Sequence, residues 1–306
     1  MKKYSQTLTV IVALSVIIMW GFSFIAIEIA LREVTPSQLV TLRFVPTFII
    51  FASIGLYRLT KHKISINKKD FGRLLLSGFF AVIVYNYSLN TGQTYLPASF
   101  AALVIALNPA SIAIIANAWI GEKPDGRTWL GLLLGLIGIS VVILGRQGTP
   151  ELQMTYLIGA LITLAAPLSW GIFTSGLRIE SRRIGSLTAT IISISLGSFP
   201  MLFTINKSLI TTTVNGSSSL WLSVIFLSLG CTVYGFTAWA WVLKRMEAVK
   251  AGTFIYLVPL IAAIGSTWLL GEIIDLPFIL GGLMVILGVT SATGHLDYKK
   301  LFRRTK

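Results

Sequence analysis

Charge is scarce in this sequence: Asp, Glu, Lys and Arg make up 12% of 306 residues, and only 11 of those charges are acidic. Hydrophobic residues make up 55% and the mean hydropathy is +0.82. Such a chain has too little polar surface to cover a water-soluble globule of its size, which places it in a bilayer. A single cysteine, Cys231, excludes an internal disulfide framework or a cysteine-based metal site. The two histidines, His62 and His295, stand in no metal or nucleophile constellation, so neither a metal nor another cofactor is expected. A Gly-rich phosphate loop ending in Gly-Lys-Ser/Thr is missing, and an ATP-driven pump would therefore need a separate subunit. The longest interruptions of the apolar pattern, about residues 57–70 and 206–218, are too short for a soluble domain. The opening Met-Lys-Lys and apolar run look like a signal peptide, but the run is too long and lacks a convincing small-x-small cleavage site, so it reads as a first span.

What the chain does have is long apolar runs. A hydrocarbon core of about 30 Å takes roughly 20 apolar residues per helical crossing. Ten stretches approach that: 8–30, 37–57, 71–90, 97–120, 128–145, 155–176, 187–205, 219–243, 250–271 and 276–293. Their uniform apolarity, without the alternation of barrel strands, favours helices over a closed barrel.

The stretch 98–142 recurs at 248–292. Fourteen of the 45 positions are identical at an offset of 150, among them Pro109/Pro259, Gly121/Gly271, Glu122/Glu272, Asp125/Asp275, Gly131/Gly281 and Gly138/Gly288. The same offset pairs Trp20-Gly21 with Trp170-Gly171, so the whole half is duplicated. Five spans per half is an odd number, and the second half must enter the membrane in the opposite sense. The predicted fold is all-α and integral to the membrane: ten transmembrane helices in two inverted five-helix repeats, residues 1–150 (spans 1–5) and 151–306 (spans 6–10). Such duplications characterise secondary transporters, whose substrate site lies near the midplane between the halves.

The formal charge of +14 could suggest nucleic acid, but its placement argues otherwise. With the amino terminus inside, 21 of the 25 basic residues fall on the cytoplasmic side. This is the positive-inside pattern, and it puts both termini of a multi-pass cytoplasmic-membrane protein in the cytoplasm. The expected partners are membrane lipid and a small-molecule substrate, not nucleic acid.

Within the spans the glycines of the fifth (Gly131, Gly135, Gly138) and tenth (Gly281, Gly282, Gly288) offer smooth helix surfaces for close packing. These two spans read as the rigid or dimerising side, which leaves a homodimer open. Glu122 and Glu272 open the turns into spans 5 and 10, where a carboxylate suits a helix amino terminus. Pro109 and Pro259 are expected to kink helices 4 and 9, either as packing or around a cavity. Only two full charges sit inside spans. Glu28 is near the outer end of span 1, and Arg43 is roughly 10 Å deep in span 2 at about 1.5 Å per residue. They could pair as a structural or gating salt bridge, or contact a charged substrate. The neutral candidates for lining a substrate cavity are Trp20, Ser23, Tyr85, Asn86, Asn90, Asn108, Trp170, Tyr234, Trp239 and Tyr256. Trp119, Trp129, Trp221, Trp241 and Trp268 lie near span ends and read as interface anchors.

Two five-helix repeats, Trp20-Gly-Phe-Ser-Phe in the first span, Arg43-Phe44 in the second, and Pro-x11-Gly-Glu ending spans 4 and 9 together resemble the EamA-type branch of the drug/metabolite transporter superfamily. The resemblance covers the full chain. It implies a non-enzymatic carrier of small organic solutes, amino acids, other metabolites or drug-like molecules, working as an exporter by alternating access around a cavity lined by spans 1, 3, 4, 6, 8 and 9. One position departs from the pattern: where family members commonly carry a basic residue, eight positions after the opening Trp, this chain has Glu28. That makes Glu28 a candidate proton carrier and leaves the substrate, the coupling ion and the direction of transport open. A lipid-modifying membrane enzyme and a solute channel are the alternatives. Spans without His or Asp argue against the first, and the lack of a repeated filter motif argues against the second.

Overall fold

The computed structural model describes residues 6–120, 126–145, 150–245, 254–255 and 257–292, and among them every regular element is helical. Seven helices are long and apolar enough to cross a membrane: α1 (Gln6–Leu31), α2 (Pro36–Lys61), α3 (Lys68–Gln93), α4 (Ala98–Trp119), α6 (Glu151–Ile184), α7 (Ser186–Thr204) and α8 (Ser218–Leu243). Three further helices carry shorter apolar stretches within the described residues: α5 (Gly126–Gly145, apolar from Trp129), α9 (Leu257–Leu270) and α10 (Leu276–Ala292). A surface helix, Lys207–Val214, links α7 to α8.

Short polar residues set the helix boundaries. Thr35 forms a capping box with Gln38 ahead of Pro36, and Asn67 does the same with Asp70 ahead of Lys68. Ser217 caps α8 through the Leu220 amide, and Asp275 caps α10 through the Phe278 amide at 3.0 Å. Each side-chain oxygen takes up an amide that the first helical turn leaves without a partner. Two reversals use glycine with φ in the left-handed region, Gly185 at 82° between α6 and α7 and Gly271 at 72° after α9.

The outward surface is strongly apolar. Trp268 is 78% exposed, Phe203 77% and Leu222 68%. A water-facing wall of this kind would be a large aggregation surface, whereas lipid accepts it. Between helices, small side chains allow close approach, and buried Ser and Thr return their hydroxyl protons to carbonyls of their own helix, as Ser195 does to Ile191 and Ser228 to Val224.

α5 and α10 lie against each other along their length. A Cβ added to Gly138 would stand 2.5 Å from the Gly281 carbonyl oxygen, and one added to Gly288 would stand 2.5 Å from that of Gly131. At an offset of 150 these two contacts are images of each other. The glycine faces expected to be a rigid or dimerising surface are therefore used within the chain, because backbone contact this close consumes both of them. Other pairs follow the same exchange: α1 packs on α9 and α6 on α4, while α3 packs on α7 and α8 on α2.

α4 is interrupted at Ala106–Leu107, between Ala98–Ile105 and a second segment that begins at Asn108. Pro109 has no amide to give the Ile105 carbonyl, which an uninterrupted helix would pair with it. Pro259 lies near the start of the described part of α9, Leu257–Leu270. A proline the sequence reading passed over, Pro46, lies inside α2.

A methyl group at Gly138 must separate α5 from α10, so Gly138→Ala should lower stability by about 1–3 kcal/mol. A Cβ at Gly72 meets nothing within 4 Å. Thermal unfolding in detergent should show a lower midpoint for Gly138→Ala and an unchanged or higher one for Gly72→Ala.

Candidate functional site

The middle of the bundle is organised by two stretches of wide, π-helical turn, Phe79–Val84 in α3 and Phe226–Tyr234 in α8. Shifted by 150, the first coincides with 229–234 inside the second. A π-helical turn leaves backbone carbonyls without their ordinary donors and recurs at functional positions. Here side chains supply those donors. Asn86 Nδ2 donates to the Ala81 and Val82 carbonyls at 2.9 and 3.0 Å, and Thr232 Oγ1 donates to the Leu227 carbonyl at 2.8 Å.

The same two side chains hold Arg43. Its Nε donates to Thr232 Oγ1 at 3.0 Å and its Nη1 to Asn86 Oδ1 at 3.1 Å. The guanidinium also lies 5.2 Å from the centre of the Phe44 ring. Pro46 denies the Leu42 carbonyl its amide, and Thr47 Oγ1 donates to the Arg43 carbonyl at 2.9 Å. Arg43 is only 9% exposed, and no carboxylate lies within 4 Å of it among the described residues.

Beside this group stands an aromatic box. Trp170 lies 5.5 Å from Tyr85, 5.1 Å from Phe173 and 5.8 Å from Phe236, and Trp20 lies 6.2 Å from Phe236 and 5.5 Å from Trp239. Trp20 Nε1 donates to the Cys231 carbonyl at 3.1 Å, next to Thr232, so box and guanidinium are contiguous. Asn108 lies against the Tyr85 hydroxyl. The Oδ1 of Asn108, both polar atoms of Asn90 and Oε1 of Gln93 are buried without a hydrogen-bond partner among the described residues.

Of the residues expected to line a cavity, Trp20, Tyr85, Asn86, Asn108, Trp170 and Trp239 therefore come together. Ser23 turns to the Trp20 carbonyl at 2.6 Å. Asn90 is one turn beyond Asn86 on α3. Tyr234 is apart from the box, 38% exposed, with its hydroxyl 2.7 Å from Ser15 Oγ. Tyr256 lies outside the described residues, as do Gly121, Glu122 and Asp125. Phe236, Phe173 and Thr232 were missed. Asn86, Asn90 and Gln93, spaced i, i+4 and i+7 on one helical face, were a readable signal for Gln93.

Glu28 and Arg43 do not pair. Glu28 Oε2 accepts from the Ala98 amide at 2.9 Å, and Glu272 Oε1 accepts from the same amide at 2.8 Å. Glu272 also accepts from the Ser99 amide at 3.3 Å and from the Ser99 hydroxyl. Two carboxylates thus gather on the amino terminus of α4, where unpaired amides and the helix dipole favour negative charge. Glu272 caps α4 rather than α10, whose cap is Asp275. Nearby, Glu33 accepts from the Ser217 hydroxyl and, at 2.9 Å, from its amide. These bonds hold its carboxyl below the usual carboxylate range. Their contribution is present at neutral pH and is lost as pH falls through that lowered value.

The opposite, basic end is tied by Arg73 to Glu180 at 3.2 Å and by Arg183 to Asp70. Glu180 is a buried charge that the sequence reading placed beyond its span, because α6 runs to Ile184. At this end a cleft of about 500 Å³ opens between α1, α7 and α8, lined by Val12, Leu187, Tyr234, Thr237, Trp241, Lys244 and Arg245 among others. Tyr234 and Ala238 of its lining share α8 with Phe236 and Trp239 of the box, which do not line it.

Residues 7–144 and 157–293 each match the model of the EamA-like transporter family. The chain is 26% identical over 289 residues to an uncharacterized transporter of Archaeoglobus fulgidus, covering 94% of this chain and 98% of that one. It is 24% identical over 304 residues to a probable amino-acid metabolite efflux pump of Escherichia coli, covering 95% and 96%. It is 24% identical to a probable terminal-alkyne amino-acid exporter of Streptantibioticus cattleyicolor, covering 72% of each chain. A crystal structure matches 99% of this chain and all of its own with a TM-score of 0.58 at 20% identity, a likeness of fold.

Replacing Asn86 by leucine removes an acceptor from Arg43 and the donor shared by two π-turn carbonyls. It should cost about 2–3 kcal/mol of stability. Asn215→Ala, on an exposed turn, should stay within about 0.5 kcal/mol. Thermal unfolding of the two variants beside the parent protein checks the difference.

Proposed function

The chain belongs to the EamA-like transporter family, and from that premise we propose that it is a secondary-active exporter of small organic metabolites, amino acids and related solutes among them. It works by alternating access between two inverted five-helix repeats in the cytoplasmic membrane, with both termini in the cytoplasm. The observation that carries this reading is a buried guanidinium beside an aromatic box at the junction of α2, α3 and α8, with a separate cleft along α8 at the basic end. Tyr and Trp supply apolar surface with single hydrogen-bonding groups, which suits an amphipathic organic solute.

Several observations support the parts of the mechanism. Glycine contacts that exchange at an offset of 150 accord with a two-fold relation between halves. Concentration of basic residues at one end accords with that end facing the cytoplasm. In this conformation the cleft opens at the basic end, while Glu28 and Glu272 join α1, α4 and the Gly271 turn at the other, so they act as the outer gate. The outward-open state then requires this junction to part and the ion pairs of α3 with α6 to hold. Names of relatives, an efflux pump and an exporter, support the direction and the amino-acid class. A lipid-modifying enzyme is disfavoured by the family and by the transporter and exporter names of the relatives.

Protein reconstituted in liposomes preloaded with unlabelled amino acids should accumulate labelled ones by counterflow, and empty vesicles should not. No exchange across an amino-acid panel, with or without proton and sodium gradients, would sink the proposal. In a Cys231→Ser background, a membrane-impermeant maleimide should reach Asn215→Cys from outside intact cells and Ser65→Cys only after permeabilisation. The reverse pattern would overturn the orientation.

A further inference from the structure

We infer that Arg43 is the anchor for a carboxylate group of the transported solute. The inference rests on the transporter reading and adds the chemical class of the group that is recognised. Its first support is a contrast within the chain. Glu180 and Asp70, buried charges at the basic end, are paired with Arg73 and Arg183. Arg43 has neutral partners only, among the described residues, although a charge this deep in a membrane protein is costly when left uncompensated.

The second support is geometry. Arginine has five N–H donors in a planar fork. Nε and Nη1 are committed to Thr232 and Asn86, and both of those side chains are themselves tied to π-turn carbonyls. The guanidinium is therefore oriented without being neutralised, and Nη2 has no hydrogen-bond partner among the described residues. A fork held in one orientation suits the two oxygens of a carboxylate. One guanidinium balances one carboxylate, whereas a phosphate dianion would leave charge over. The neighbouring box of Trp20, Trp170 and Phe236 takes the apolar remainder of such a solute. The unpartnered amide oxygens of Asn90 and Asn108 are acceptors that an ammonium on the same solute could use, and Asn90 lies about 6 Å along α3 from Asn86. Lys244 and Arg245 at the mouth of the cleft raise the local concentration of anions from the basic side.

The test uses phenylalanine, 3-phenylpropionate, which lacks the amino group, phenethylamine, which lacks the carboxyl group, and inorganic phosphate. Binding to purified protein is followed by calorimetry, and exchange is measured in liposomes. Phenylalanine and 3-phenylpropionate should bind and exchange, and phenethylamine and phosphate should not. Arg43→Gln should weaken the two acids at least about 30-fold, and Arg43→Lys should restore part of the loss. Unfolding midpoints establish that both variants are folded. If Arg43→Gln does not fold, the ligand series on the parent protein decides alone. Phenethylamine exchanging as well as the acids, or a folded Arg43→Gln that binds them unchanged, overturns the carboxylate anchor and leaves the transporter reading standing. Phosphate displacing the acids at equal concentration overturns it in favour of a phosphorylated solute. No exchange of any organic probe by the parent protein overturns both.

Discussion

Everything at the centre of this molecule depends on holding one guanidinium in a place where it is expensive to hold. The backbone of a membrane helix normally satisfies itself, which leaves no spare groups to position a charge. Two π-helical turns change that. Each frees carbonyls, each recruits a polar side chain to cover them, and the two recruits, Asn86 and Thr232, use their remaining capacity to fix Arg43. Local irregularity in α3 and α8 is thus the means by which a charge on α2 acquires a direction.

The two ends of the bundle are built differently. At the basic end, Arg73 with Glu180 and Arg183 with Asp70 are opposite charges that tie α3 to α6. At the other end two carboxylates converge on one helix terminus, and the attraction comes from amides and a hydroxyl. Ion pairs of the first kind resist separation, whereas two like charges sharing a few donors are held only as long as those donors stay in place. The asymmetry fits a molecule with one wall that stays together and one junction that parts.

Much of this was legible before any coordinates. The 150-residue repeat, the paired glycines and the apolar runs indicated the helical architecture and marked the faces of α5 and α10 fit for close packing, without saying what they pack against. Trp20, Tyr85, Trp170 and Trp239 stood out in the sequence as large amphipathic rings deep in spans, and the structure gathers them into one aromatic group. The partners were not readable. Glu28 and Arg43 are the two charges nearest each other along neighbouring spans, yet sequence spacing does not tell which way a side chain faces around its helix axis. Glu28 turns to the start of α4, and Arg43 turns to α3 and α8. Thr232 and Phe236 carry no signal of their own, since a threonine or phenylalanine within an apolar run is ordinary, and π-turns have no periodicity that marks them.

The sequence by itself determined that the chain lives in a bilayer, that it is doubled, that its basic residues collect at one end, and which few polar residues are buried. Those properties are set by composition and by one-dimensional spacing, which hydrocarbon thickness and the helical repeat translate directly. Only the tertiary structure decided that the glycine faces meet inside one chain, that Glu272 caps a helix remote in sequence, and that Arg43 has only neutral partners among the described residues, beside an aromatic box. Each of these depends on the rotation of one helix about its axis relative to another, which packing settles and a linear pattern does not encode.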